Sequence, residues 1–427
     1  MVLSQFEGRG WFGRQSSRSH SRVVSRGFAF SLVVTLGTIG AAPAAAAEAL
    51  TLAEALRLAR ERAPRLVAAG LRVTEAEARV RAAGAMRANP ELEAFVEPFP
   101  DSDTPAEVEI GLRQEFEAPG RRRARRAAAE ASFTAAEAGR LDEQRRLCGE
   151  VAAAFFRAIH ARDRHALADA AHALDSELLQ VAERRHALGE AVVLEVNLAR
   201  SAAARSASHA LAAAAQQESE LGELRRLLGM GAAEPLDLQG DLATDGTLES
   251  SRLTGTVSGR PDVAELRAER DAAEAGVTAA ATLRRPEWGV GAAYTREEGE
   301  SQILGGVRFT LPLANRGTGE TIEAAARRDR LVLAAGEAER AAEVELQAAL
   351  AAYRLRREAV GVLAADALPW VDDNQALALR SYEAGQIGLP DYLLMRRELF
   401  ETRALYLDRL LEAALEGVVV AGAAGAW

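Results

Sequence analysis

The chain of 427 residues contains no lysine: all 52 of its basic residues are arginine. That bias fits a GC-rich genome and is silent on function. A single cysteine, Cys148, excludes an internal disulfide framework and a Cys-rich zinc site. Aromatic residues make up only 5% of the chain although 48% is apolar, and alanine supplies most of the difference. A bulky aromatic core is therefore excluded, and thin helical layers that pack small side chains closely are expected. There is no basic excess, since 62 acids leave a formal charge of −10, and the arginines are dispersed, which argues against nucleic acid as a partner. HExxH, a Walker loop, a Rossmann fingerprint and a nucleophile elbow in a hydrolase setting are all missing, so no enzyme, catalytic residue, metal site or cofactor is expected. His160, His165, His172 and His186 lack the i, i+4 spacing that puts two imidazoles on one metal and read as scattered surface histidines. Cys148 reads as a small packing residue.

The N-terminus has the order of an export signal. Arg9, Arg14, Arg18, Arg22 and Arg26 face one acid, Glu7, and precede the apolar run 28–39 and then AAPAAAA. Cleavage after Ala47 would leave a mature chain from Glu48, more acidic than the precursor and without a cysteine at its start for a lipid anchor. Beyond residue 47 no stretch approaches the ~20 apolar residues of a spanning helix, so the exported chain is periplasmic, secreted or placed in an outer membrane.

The mature chain reads as two copies of one unit, residues 48–228 and 260–427, joined by a Gly-, Ser-, Thr- and Asp-rich linker over 229–259. Offsets of 195 to 196 residues superpose Pro90 on Pro286, Gly111 on Gly306, Arg113 on Arg308, Arg121 on Arg316 and Gly189 on Gly385. None of these is alanine, so compositional chance does not explain them.

Within each unit the hydrophobic period changes. A helical segment (51–87, opened by a Thr51–Glu54 capping box, and 260–285) gives way to a hairpin with period two, spanning 91–116 in the first copy and 288–311 in the second. In the first, Val108, Ile110, Leu112 and Phe116 share one face while Glu109, Gly111, Arg113 and Glu115 share the other. In the second, Ile303, Val307, Phe309 and Leu311 oppose Gly306, Arg308 and Thr310. The acidic loops 99–106 and 296–302 join the strands. Nine-residue strands with one apolar face match the 9–11 residues that cross a bilayer when tilted. Four strands cannot close a barrel, because outer-membrane barrels begin at about 8, and open edges are not tolerated in lipid. The chain must therefore oligomerise; two copies would give 8 strands and three would give 12.

After each hairpin a long helix is expected, over 121–188 and 318–384, with Leu167, Leu174, Val181 and Leu188 at heptad spacing. At 1.5 Å per residue such a helix reaches roughly 100 Å, and Pro369 should bend or break the second. Gly189 and Gly385 end these segments, and the chain returns as helix over 192–228 and 390–415. Arg121, Arg122, Arg123, Arg125 and Arg126, with Arg316, Arg327 and Arg328, directly follow the inward-returning strands and are placed to meet phospholipid headgroups.

NPELEAFVE, QEFEAPGRRRARRAAAEA, FTLPLANRGTGETIEAAA, GRPDVAELRAE and YEAGQIGLPDYLL resemble the TolC family of outer-membrane efflux proteins over the whole mature chain, most of all its CzcC-type heavy-metal efflux branch. The resemblance implies a mainly α fold with a membrane β-barrel: a homotrimer, four strands per chain in a 12-stranded outer-membrane barrel, long antiparallel coiled-coil helices forming a periplasmic tunnel, and 229–259 as the equatorial linker. It implies three partners besides the chain itself and outer-membrane lipid: a periplasmic adaptor, an inner-membrane efflux pump, and a substrate delivered by that pump. The adaptor-docking tip turns would be Gly189, Glu190, Ala191 and Val192 with Gly385, Gln386, Ile387 and Gly388, and the channel constriction would carry Glu195 and Asp391. Such a channel is a passive duct in a Gram-negative outer membrane. A type I secretion conduit and a non-pore periplasmic coiled-coil scaffold are the alternatives.

Overall fold

The computed structural model describes residues 50–97, 107–232, 234–245, 259–297, 300–314 and 316–427. The export leader, the 99–106 loop and the later part of the 229–259 linker lie outside the described residues. The elements run α1 (Leu52–Arg62), α2 (Pro64–Gly84), β1 (Glu91–Glu97), β2 (Glu107–Phe116), α3 (Arg121–Ala187), α4 (Val193–Leu228), a short α5 (Leu242–Asp245), α6 (Pro261–Ala281), β3 (Glu287–Glu297), β4 (Glu300–Thr310), α7 (Thr318–Val362), α8 (Leu368–Glu383) and α9 (Leu389–Ala423). The Thr51–Glu54 capping box opens α1, with both reciprocal hydrogen bonds present.

The four strands form one antiparallel sheet in the order β1-β2-β3-β4, its two hairpins joined by the β2–β3 pairing from Val108↔Arg296 to Phe116↔Trp288. The register sorts side chains by chemistry. Rows Leu92–Leu112–Ala292, Ala94–Ile110–Tyr294–Ile303 and Phe116–Trp288–Phe309 cover one face, with Leu92 72% and Ile303 83% exposed in the isolated chain. The opposite face is concave and lines a hollow of about 330 Å³ with Glu91, Glu93, Glu109, Arg113, Glu115 and Arg308. Arg113 lies 3.9 and 3.7 Å from Glu91 and Glu93 there. An apolar convex face beside a charged concave one is the arrangement of a segment cut from a membrane barrel. The second loop is shorter than the 296–302 expected from sequence. Arg296 pairs with Ser301 and Thr295 with Gln302, because alternation continues through both polar ends.

α3 is a single helix of 67 residues built from strong helix formers, and it packs against α1, α2, α4, α6 and α9. Its stretch from Leu147 to Ile159 is the centre of the largest core cluster, with Val151, Phe155, Leu224 and Leu228 fully enclosed and Cys148 among them as a packing residue. Leu238 and Leu242 of the 229–259 segment also enter this core, and Leu238 makes a parallel bridge with Leu50. That part of the segment is therefore packed structure and not a free connector. Nearer the end of α3 the heptad period holds but its register differs from the leucine row. Asp175 and Ala182, seven apart, are buried with Leu178, whereas Leu167, Leu174 and Val181 stand half-buried and Leu188 is exposed. The buried line runs through Asp175, Leu178 and Ala182 because that is the row the facing helices approach.

α7 passes into α8 through one π-helical turn, Leu363–Ala367, where the Leu368 N–H donates to the Leu363 carbonyl five residues back. Pro369 has no N–H to continue the ladder, so the helix re-forms around it instead of breaking.

Two charged groups assign the ends of these helices their places. Arg121 is buried and donates to Glu287 at the start of β3 and to the Thr282 carbonyl at 3.2 Å. Arg125 donates to Glu117 and to the carbonyls of Ala83 and Ala85. These two arginines hold the junction of sheet and helices together and are not the headgroup ligands that their sequence position suggests. At the other end Arg260, buried, reaches Asp262 and Glu345 at 2.7 Å each and the Ala423 carbonyl, while Arg145 bonds Asp142 and the Gly422 carbonyl. Burial alone raises the pKa of Asp262, but the hydrogen bond and charge of Arg260, with Arg145 nearby, outweigh it and hold the carboxyl below its ordinary value.

Removing one partner of such a buried pair costs about 3–5 kcal/mol. Arg260→Met should therefore lower the denaturant midpoint of the full-length protein in detergent, followed by far-UV circular dichroism. A carboxyl depressed in the folded state stabilises fully above its unfolded pKa of about 4 and loses this as pH falls through the folded value. Wild type should consequently lose stability as the pH falls below about 5, and Arg260→Met should flatten that dependence.

Candidate functional site: the tip of the helical hairpins

The outbound helices α3 and α8 end in the same way. Gly189 (φ 78°) donates to the His186 carbonyl and Glu190 to that of Arg185, both at 2.9 Å; Gly385 (φ 67°) donates to Tyr382 at 3.0 Å and Gln386 to Ser381 at 2.9 Å. Each is a Schellman turn, which needs a left-handed residue after the helix. Val192 and Gly388 then return to extended backbone and start α4 and α9, with Glu195 and Asp391 in their first turns.

The two turns are alike in backbone and different in surface. Leu188, Val192, Val193 and Leu194 around the first are 59–75% exposed. In the second, Ile387 packs inward on a cluster formed by Leu178, Ala182, Val196, Tyr382, Leu389 and Tyr392, which ties the α3–α4 hairpin to α8–α9. Tyr382 and Tyr392 stack with centroids 5.5 Å apart, and Arg185 lies over the Tyr382 ring at 5.6 Å. Burial pushes the Tyr392 phenol above its ordinary pKa. Behind them Asp175 and Arg396, both buried, form a close ion pair, while Arg396 Nε and Nη1 have no protein acceptor.

The carboxylates expected to share one role stand in different surroundings. Glu195 is half-buried, 4.0 Å from Arg185, with Oε2 enclosed and lacking a hydrogen-bond donor. Asp391 is exposed and forms no ion pair among the described residues. Sequence reading missed Arg185, Tyr382, Tyr392, Asp175 and Arg396. The signal lay in the differences between the two halves: at the same offset of 196, Tyr382 faces His186 and Tyr392 faces Val196, so the aromatic pair belongs to one copy alone. The histidines also differ from a surface reading. His160 lies 2.8 Å from Asp408, His165 2.7 Å from Gln217, and both are half-buried between helices. No cluster of three or more potential metal ligands occurs among the described residues, nor does a helix long and apolar enough to cross a membrane.

Residues 55–230 match the family model of the outer membrane efflux protein. The architecture matches a crystal structure of CusC with a TM-score of 0.74 at 20% identity, covering 88% of this chain and 92% of that one. It likewise matches VceC of Vibrio cholerae (0.72, 20%, 88% and 96%) and the open state of MtrE of Neisseria gonorrhoeae (0.71, 19%, 88% of each). Residues 55–230 are thus similar to the outer membrane efflux protein family, and the chain has the fold of these channel structures. In sequence it is 28% identical over 375 residues to the cobalt-zinc-cadmium resistance protein CzcC of Cupriavidus metallidurans, covering 86% of this chain and 88% of that one.

A Cβ at Gly189 or Gly385 would meet nothing within 4 Å, so alanine there adds no clash and only left-handed strain. Gly189→Ala and Gly385→Ala should each cost about 1–2 kcal/mol, and asparagine should recover part of it. Hydrogen exchange at the last turns of α3 and α8 would read this directly.

Proposed function

We propose that three copies of this chain form the passive exit duct of a tripartite efflux system that carries heavy-metal cations. The observation that carries this reading is the four-stranded sheet: apolar on its convex face, charged on its concave face, open at both edges and continuous with helices about 100 Å long. Three such sheets joined β4 to β1 make twelve strands without a free edge, and the concave faces then line a lumen. A periplasmic adaptor docks on the tip turns 189–192 and 385–388, where the exposed Leu188, Val192, Val193 and Leu194 offer it apolar surface. An inner-membrane pump supplies the energy. Likeness to a cobalt-zinc-cadmium resistance protein supports the cation class.

Within this reading Asp391, exposed and unpaired, is the charge that acts on passing ions, and three copies bring three carboxylates towards one axis. Glu195 instead orients Arg185 against Tyr382. Outer-membrane fractionation and native electrophoresis test the assembly, which a soluble monomer would refute. In planar bilayers Asp391→Asn should lower the cation-to-anion permeability ratio severalfold, and Glu195→Gln should leave that ratio unchanged. Equal ratios for wild type and Asp391→Asn would remove Asp391 from the constriction.

A further inference from the structure

Where β2 leaves the sheet and turns into α3, the surface holds a groove of about 370 Å³ whose walls are of two kinds. One wall is aromatic: Phe116 and Trp288 stack with ring centroids 4.3 Å apart and planes 18° apart, and both belong to the last row of the apolar convex face. The other is cationic and carries Arg87 and Arg122, both exposed and neither ion-paired among the described residues. The groove also contains two carboxylates, and both are already engaged, Glu117 by Arg125 and Glu115 by Arg308 at 3.9 Å. The unspent charge is therefore positive. The first turn of α3 adds to it, since this helix has neither a side-chain cap nor an acid in its first turn.

We propose that this groove binds the phosphodiester headgroup of a phospholipid in the periplasmic leaflet, with the phosphate on Arg87 and Arg122 and the upper acyl chain and glycerol against Trp288. The inference rests on the outer-membrane placement of the sheet. The order of the walls selects a lipid over a free phosphate. The aromatic pair continues the lipid-facing rows, the arginines begin where the strands end, and a molecule that spans both must be amphipathic. An indole at the interface and guanidinium groups one step beyond it are matched to the ester region and the phosphate of one lipid. Among the arginines after the strands, Arg121 and Arg125 hold the protein together, whereas Arg122 lines the groove.

The test uses the full-length protein in neutral detergent micelles doped with phosphatidylglycerol brominated near the top of its acyl chains. Quenching that is lost in Trp288→Phe reports occupancy of the groove. Wild type should reach half-maximal quenching at a lipid fraction about tenfold below that of Arg87→Gln/Arg122→Gln, and 10 mM-scale inorganic phosphate should not reverse it. Equal titrations of wild type and double variant would overturn the proposal, and reversal by inorganic phosphate would assign the arginines to a free anion instead. Fractionation of the same cells separates the two layers of inference. Equal titrations with the protein in the outer membrane reject the groove alone, whereas absence from that membrane rejects the placement itself.

Discussion

Hydrocarbon offers a peptide group nothing to hydrogen-bond with, and this constraint shapes the whole chain. β1 and β4 pair on one side each, so in the proposed outer-membrane placement a single copy would present two rows of unsatisfied backbone to lipid. Neither a fifth strand nor a covering loop occurs among the described residues. In the proposed channel, closure comes from further copies of the same edge pair, and symmetry then dictates the rest. Each copy contributes the same arc, the same concave charges and the same pair of helical hairpins, so a closed ring at the top imposes a ring of helices beneath it.

Those helices meet the ring's geometry by packing small residues. The seam of α3 towards its tip runs through Asp175, Leu178 and Ala182, and Arg396 answers the buried charge from α9. Large side chains are concentrated where several helices converge around Phe155 and at the tyrosine stack near the turns. Between these two anchoring layers the walls are thin. The scarcity of aromatics is thus spatially uneven: one group lies in the sheet, and Phe155, Phe156, Tyr382 and Tyr392 mark levels at which the helices are fixed to one another.

Much of this architecture was legible in the sequence because it rests on periodicity. Alternation in 108–116 and 303–311 located the strands to within three residues, and Gly189 and Gly385 located both turns, since a left-handed position has few other occupants. The leucine row at 167–188 illustrates the limit. Its seven-residue spacing was correct, yet the buried line runs through Asp175 and Ala182, because periodicity alone does not reveal which of two adjacent rows a partner approaches. The acidic pair at the tip was visible for the same reason as the turns, but its inequality was not. Whether Glu195 turns in or Asp391 turns out depends on Arg185, Tyr382 and Tyr392, which converge from three helices and share no local pattern. The paired arginines after the strands were equally ambiguous until Arg121 and Arg125 were seen to be internal struts.

The π-helical turn at Leu363–Ala367 bears on how the two halves keep step. Left-handed glycines open the two outbound rods at Gly120 and Gly317, 197 residues apart, and close them at Gly189 and Gly385, 196 apart, so the second rod carries one residue fewer than the first. Widening one hydrogen-bonded ring from four residues back to five takes a further residue out of the ordinary helical progression. Side chains beyond it lie about 100° from where an unbroken α-helix would put them. The duplicated rods therefore do not superpose residue for residue at their tips, and the second reaches its turn in a different angular phase.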